Sequence, residues 1–411
     1  MRQSQRILPV YAGDVSGACS ALFELGGMVV IHDPSGCNST YNTHDELRWY
    51  DQDSLVFVSG LRHADALMGN DERLVADVVE AVGQTRPRFV VLAGSPVPFQ
   101  VGTDFAALAR LVEARTGVVC RHVPTNGMHD YVRGAGLAFA LLARAFVTAA
   151  REGTRAARPP RARVNVLGMT PLDFAAPTSR ESLVGWLEGE GFALTSLWSL
   201  GCTLDDVMRA SQADVNLVVS ACGLDAAREL ERRLGQPYVV GLPVRGFGPA
   251  LARALDRARD ERRSRNAYLE LRLVQSRDKD LLKGGIEAPR TPASAALALV
   301  GEPVAMGSMA AALGGRDVTA RLVSPVEDAR RLVDPRLGDV CVRGEEGVAR
   351  ALREAAIVVG DPFFSHVCAR DQRLCRLPHL ALSGRQWLRE IPDLMSVDPM
   401  ALVGDAMRKG A

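Results

Sequence analysis

Ile31-His32-Asp33-Pro34-Ser35-Gly36-Cys37-Asn38-Ser39-Thr40 decides how this chain is read. It follows the apolar run 28–31, which has the composition of a buried strand. Pro34 and Gly36 break that strand, and Cys37 is presented at the break. Cys19 lies one short helix upstream, in Ser16-Gly17-Ala18-Cys19-Ser20. Two thiols on consecutive turns of an apolar scaffold are the leading candidates for chemistry.

Outward from this stretch, strands and helices alternate. Residues 54–59, 88–95 and 117–123 read as further strands, and 70–82, 104–116 and 131–150 as helices. Such a βαβ series predicts a parallel sheet. The Arg-, Ala- and Pro-rich stretch 151–163 reads as a linker between a first domain, 1–150, and a second, 164–260. The charged stretch 252–283 predicts one long helix bridging two domains, with its linker running to 290. A third series occupies 291–384, and 385–411 is expected to be helical and to pack back on the first domain. The fold class is therefore α/β, with three Rossmann-like αβα domains whose parallel sheets surround a central cleft.

Composition narrows the function. Hydrophobic residues make up 47% of the 411, enough for more than one core. The 49 basic and 48 acidic residues leave a formal charge of +1, which argues against a nucleic-acid or anionic-membrane surface. The first apolar run is too short for a signal core, and no window reaches the length of a membrane span. A soluble, cytoplasmic protein is expected. There the eight cysteines stay reduced and serve as core residues, metal ligands or nucleophiles.

Open α/β sheets bind ligands beyond the carboxyl ends of their strands. The loops that follow the predicted strands carry Asn126, His129, Cys202, Cys222, Arg245, His366 and His379, which are expected to line the cleft. His129 and His379 are candidate proton donors. Cys202 and Cys222 read as ligands or as small buried residues. No phosphate-binding loop, dinucleotide fingerprint or Cys-x-x-Cys pair is present. Cys368 and Cys375 lie near His366 and His379 but lack a compact zinc knuckle.

The chain resembles the nitrogenase component 1 family, which includes the catalytic subunits, their cofactor-assembly homologues and the dark-operative protochlorophyllide reductase subunits. The resemblance rests on Cys19 with Val30-Ile31-His32-Asp33-Pro34-Ser35-Gly36-Cys37, similar to the family's Cys … His-Gly-Pro-x-Gly-Cys, with Asp33 where Gly is usual. Val90-Val91-Leu92-Ala93-Gly94-Ser95-Pro96 with Gly102-Thr103-Asp104 resembles the next motif, but the family's third cluster cysteine is absent near Gly94-Ser95.

The resemblance implies a [4Fe–4S] cluster shared across subunits, with Cys19 and Cys37 from each side as ligands and Gly36 letting the backbone approach the sulfurs. It implies a homodimer, or a heterodimer or heterotetramer with a paralogous subunit. It also implies electron delivery by an ATP-dependent iron–sulfur reductase homodimer, which fits the missing phosphate loop. By the same resemblance, Cys222 and His379 stand near the positions that hold a further metallocofactor in the cleft, although the register fits Val219 better than Cys222. The implied function is a catalytic subunit of a nitrogenase-like two-component reductase. A scaffold for metallocofactor assembly and a cluster-free α/β binding protein are the competing readings.

Overall fold

The computed structural model describes residues 6–34, 38, 41, 45–149, 161–282 and 297–408. Three parallel sheets follow one another along the chain. The first contains β1 (Met28–His32), β2 (Leu55–Val58), β3 (Val90–Gly94) and β4 (Cys120–Val123), ordered β2-β1-β3-β4. The second contains β5 (Arg163–Met169), β6 (Ala193–Ser199), β7 (Val215–Val218), β8 (Tyr238–Val240) and β9 (Arg265–Asn266), ordered β6-β5-β7-β8-β9. The third contains β10 (Leu297–Val300), β11 (Arg321–Ser324), β12 (Val340–Cys341), β13 (Ile357–Gly360) and β14 (Arg373–Arg376), ordered β12-β11-β10-β13-β14. In each sheet the first strand has neighbours on both sides, so the winding reverses beside it. That switch point is where open α/β sheets place ligands.

The central strands are apolar because helices cover both faces. Every residue of β1, β3, β10 and β13 is buried. The covering helices carry one apolar stripe each. Helix Glu72–Thr85 buries Leu74, Val75, Val78 and Val82 and turns its charged residues outward. Caps fix the helix starts. The Asp130 carboxylate accepts the N–H groups of Val132 and Arg133 at 3.0 and 3.4 Å, and Thr203 and Asp206 form a capping box.

Buried polar contacts join the three units. Arg48, 8% exposed, donates to Glu24 and Glu46 at 2.8 Å each and to the Ser20 carbonyl at 2.7 Å. It also reaches the Ser199 hydroxyl, at the end of β6, at 3.2 Å, and so ties the first unit to the second. Arg272 makes a buried bidentate pair with Asp339 at 2.7 and 2.9 Å, which ties helix Ala267–Leu282 to the third unit.

Two expectations are corrected. Residues 252–283 do not form one helix. Helix Gly248–Glu261 ends at Arg262, whose φ of 51° is left-handed, and the chain then adds β9 to the second sheet before helix Ala267–Leu282 begins. Both helices carry the same mixture of charge and scattered apolar residues, so the pattern gave no sign of the break. Among the described residues the terminal helix Pro399–Arg408 packs chiefly on β13, β14 and helix Pro303–Gly314 rather than on the first unit. Earlier in this segment Arg385 does reach back, to the Tyr50 hydroxyl at 3.2 Å. The third unit covers its own sheet with its own last helix. The linker stretch 151–160 and residues 283–296 lie outside the described residues.

Helices Asp14–Leu22 and Tyr131–Phe146 approach so closely that only glycine fits between them. A Cβ on Gly17 would lie 2.1 Å from the Tyr131 carbonyl oxygen, and one on Gly134 would lie 1.8 Å from that of Asp14. Gly134→Ala is therefore expected to lower stability by about 3 kcal/mol. Gly185→Ala, in helix Ser179–Gly189 with nothing within 4 Å of its Cβ, should raise it by about 0.5 kcal/mol. Denaturant midpoints of the two variants check this, and equal responses would contradict the close packing.

Candidate functional site

The carboxyl ends of the second and third sheets meet the start of helix Tyr131–Phe146 at one buried carboxylate, Asp173. The turn after β5 presents it, with the Asp173 N–H donating to the Thr170 carbonyl at 3.1 Å. The Tyr131 hydroxyl donates to Asp173 Oδ1 at 2.5 Å. The Cys222 thiol, in the turn after β7, lies 3.5 Å from Oδ2 as a weak donor. His379 Nε2, just after β14, lies 3.3 Å from Oδ1, within ion-pair distance but outside hydrogen-bond geometry. Tyr131 and Cys222 are fully buried, and His379 is 6% exposed.

A second layer holds these groups. Asp361, after β13, accepts the His379 N–H at 2.8 Å, the Ser383 hydroxyl at 2.7 Å and the Phe363 N–H at 2.9 Å. Glu302, after β10, accepts the Ala221 N–H at 2.9 Å and the Ala305 N–H at 2.7 Å, so it fixes the residue next to Cys222 and caps helix Pro303–Gly314.

Burial and mutual charge set the protonation states. Burial, reinforced by Asp173, raises the Glu302 carboxyl to about 7, against its backbone donors. Burial, then Asp173 and Glu302, push the Cys222 thiol well up, which favours the neutral S–H. Burial pulls the His379 imidazole down, but Asp173, then Asp361 and Glu302, outweigh it, and the ring stands above its ordinary value. The arrangement favours the protonated forms of these groups in a buried junction between the units.

Asp173 stands between Cys222 and His379, the two residues expected to hold a further metallocofactor in the cleft. Oδ2 of Asp173 faces the thiol and Oδ1 faces the imidazole, so both side chains are engaged by the same carboxylate. No group of three His, Cys, Asp or Glu with metal-binding geometry occurs among the described residues. Cys368 and Cys375 are not joined to such a group, and Cys375 is a strand residue of β14 paired with Val359.

The other candidates scatter. His129 is a surface residue, with Nδ1 2.8 Å from Glu327 and a side chain 41% exposed; it is not gathered with His379. Arg245 and His366 are exposed. Cys202 is buried, with its N–H on Glu24 at 3.1 Å. Asn126 donates its backbone N–H to Asp14 at 2.9 Å. Asp173, Tyr131 and Glu302 were missed. Asp173 and Glu302 follow strand ends directly, so the rule of strand-end loops points to them once it is extended to carboxylates.

Cys19 lies on helix Asp14–Leu22, fully buried. Its Sγ has no hydrogen bond among the described residues. Burial, then the charges of Glu46 and Asp14, push the thiol far above its ordinary range. The strand end leading to Cys37 holds a second anomaly. Asp33 is fully buried, and both carboxylate oxygens lack a partner among the described residues. The neighbouring His32 bonds Ser59 Oγ at 2.8 Å, and burial, against the pull of Asp33, lowers it to about 4. Gly36 and Cys37 lie outside the described residues.

Three doubly wound parallel sheets joined at a polar junction define a multi-unit α/β protein. The chain belongs to the nitrogenase component 1 type oxidoreductase family, whose model matches residues 14–255. A light-independent protochlorophyllide reductase chain, the B component of that enzyme in Prosthecochloris aestuarii, is 28% identical over 228 residues, 54% of this chain and 40% of that protein. Its counterpart in Rubrivivax gelatinosus is 29% identical over 171 residues, 40% of this chain and 31% of that protein. The chain thus spans less than half the length of these curated relatives. The solved structures of nitrogenase Cp1 at pH 5 and pH 6.5 cover 100% of this chain and 91% and 95% of theirs, with TM-scores of 0.62 and 0.64. Their identities of 14% and 13% make this a likeness of fold. No helix among the described residues is long and apolar enough to cross a membrane.

Glu302 supplies a test of the junction's electrostatics. Its folded value of about 7 lies above the ordinary 4.5. The protonated form is favoured by folding, so this contribution to stability is complete below about pH 4.5 and is lost as pH rises through 7. Glu302→Gln should flatten the fall of the thermal midpoint across that window. An unchanged slope would show that Glu302 does not titrate there.

Proposed function

We propose that this chain is a subunit of a nitrogenase-like two-component reductase, with Cys19 and Cys37 contributing ligands to a [4Fe–4S] cluster completed by another subunit. The observation that carries the reading is the family match over residues 14–255, which contains both cysteines and the strand between them. The donor chemistry of this chain fits. Cys19 offers a buried thiol with no competing hydrogen bond among the described residues, and a thiolate is a soft, anionic iron ligand. Its raised pKa means that metal uptake displaces a proton. When bound, the cluster supplies one-electron transfer.

The rest of the chain has roles that need no metal. Asp173, with Tyr131 and His379, holds the unit junction, and its charge favours the protonated imidazole against burial. His379 is the proposed proton donor inside the junction, and His129, paired with Glu327, is the proposed donor at the surface. The first unit exposes Phe57, Leu67, Met68, Phe99 and Val101. These side chains support contact with a paralogous or identical subunit and with an ATP-dependent iron–sulfur reductase homodimer.

Anaerobic purification of the wild type together with Cys19→Ala and Cys37→Ala tests the reading. About four iron atoms per pair of chains and a broad visible charge-transfer band are expected for the wild type. Either variant should lose most of the iron while retaining its far-UV spectrum. An iron-free wild type, or variants that keep their iron, would contradict the assignment. Transfer of iron to an apo-partner without substrate reduction would favour the assembly-scaffold alternative.

A further inference from the structure

A cavity of about 510 Å³ opens where all three units meet, between the start of helix Tyr131–Phe146, the start of helix Leu224–Leu234, and the segments that follow β11 and β12. Its volume is that of a small-molecule site. Arg133, Arg228, Arg330, Arg331 and Arg343 line it. Only Arg133 has a carboxylate partner among the described residues, Asp328 at 3.5 Å. The other four arginines have none there. On the same helix as Arg228, Arg232 pairs with Glu229.

Three carboxylates share the lining, but two are engaged, Glu327 by His129 and Asp328 by Arg133. Asp225 is the third. Positive charge is therefore in excess in a concavity, on a chain whose overall formal charge is only +1. Like charges held together in a cleft repel one another and focus a field that draws in anions. Guanidinium groups match carboxylate and phosphate oxygens bidentately. A second cavity of about 190 Å³ shares Leu224, Arg228 and Arg331, so those two arginines stand between two openings.

We infer that this cavity binds a small polyanion, a molecule with two or more carboxylate or phosphate groups, one per chain. The anion sits on Arg228, Arg330, Arg331 and Arg343. Naming it the substrate class of the reductase rests on the proposed function; the binding itself does not. The cavity also touches Ala221, whose N–H is held by Glu302, so an occupant there lies next to the buried junction around Asp173.

Calorimetric titration of the full chain at low salt, with citrate and with pyrophosphate as probes, tests the site, with triethyl citrate as the neutral control. One-to-one binding of at least one anion is expected, and the better probe tells carboxylate from phosphate recognition. Arg330→Gln/Arg331→Gln, and separately Arg343→Gln, should weaken it by about tenfold. Arg232→Gln should leave it unchanged. Absence of saturable binding by both anions, or an equal loss with Arg232→Gln, would overturn the inference. Iron content is read on the same samples: binding by an iron-free protein supports the site while removing the reductase reading.

Discussion

One carboxylate, Asp173, meets a phenol, a thiol and an imidazole that three different parts of the chain deliver. Tyr131 starts a helix of the first unit, Cys222 follows a strand of the second, and His379 follows a strand of the third. A lone ionised carboxylate in such a place is costly unless it is paired. The hydroxyl at 2.5 Å and the imidazole at 3.3 Å supply that pairing. The junction is therefore held by a requirement for charge satisfaction as well as by apolar contact. Removing any partner leaves the others exposed to the same low-dielectric penalty.

The fold explains why these groups meet. Each sheet winds outward from its first strand, and Asp173 and Glu302 follow the first strands of the second and third sheets. Within the first unit, Gly17 and Gly134 leave room for carbonyl oxygens where helices Asp14–Leu22 and Tyr131–Phe146 cross. Arg48 and Arg272 then fix the first unit to the second and the bridging helix to the third. Cavity and junction lie side by side as a consequence. Arginines face the opening, and protonated or proton-sharing groups lie behind Ala221.

Much of this was legible from residues. Apolar runs such as Val90-Val91-Leu92-Ala93 and stripes such as Leu74, Val75, Val78 and Val82 have only one reading in an α/β chain. β9 and β14 were not legible. They are short and rich in arginine, and they gain strand geometry by pairing with Val239–Val240 and with β13. Cys222 and His379 are buried, as residues after strand ends were expected to be, but their shared partner was not legible. Position along a strand end shows that two side chains face one region, but it cannot show that a third, Asp173, stands between them. The arginine cavity escaped because its members come from segments distant in sequence, none of which is basic enough to draw notice alone.

Two sites of different character thus coexist. Cys19 is a fully buried thiol with no hydrogen bond among the described residues, and just past the end of β1 the Asp33 carboxylate is likewise unpartnered among them. The junction at Asp173 belongs wholly to this chain, and its control of proton position is tested most directly by following the His379 imidazole by NMR as a function of pH in the wild type and in Asp173→Asn. Loss of the facing negative charge should lower the imidazole pKa in a variant that keeps its fold. An unchanged value in a folded variant would contradict the role assigned to Asp173.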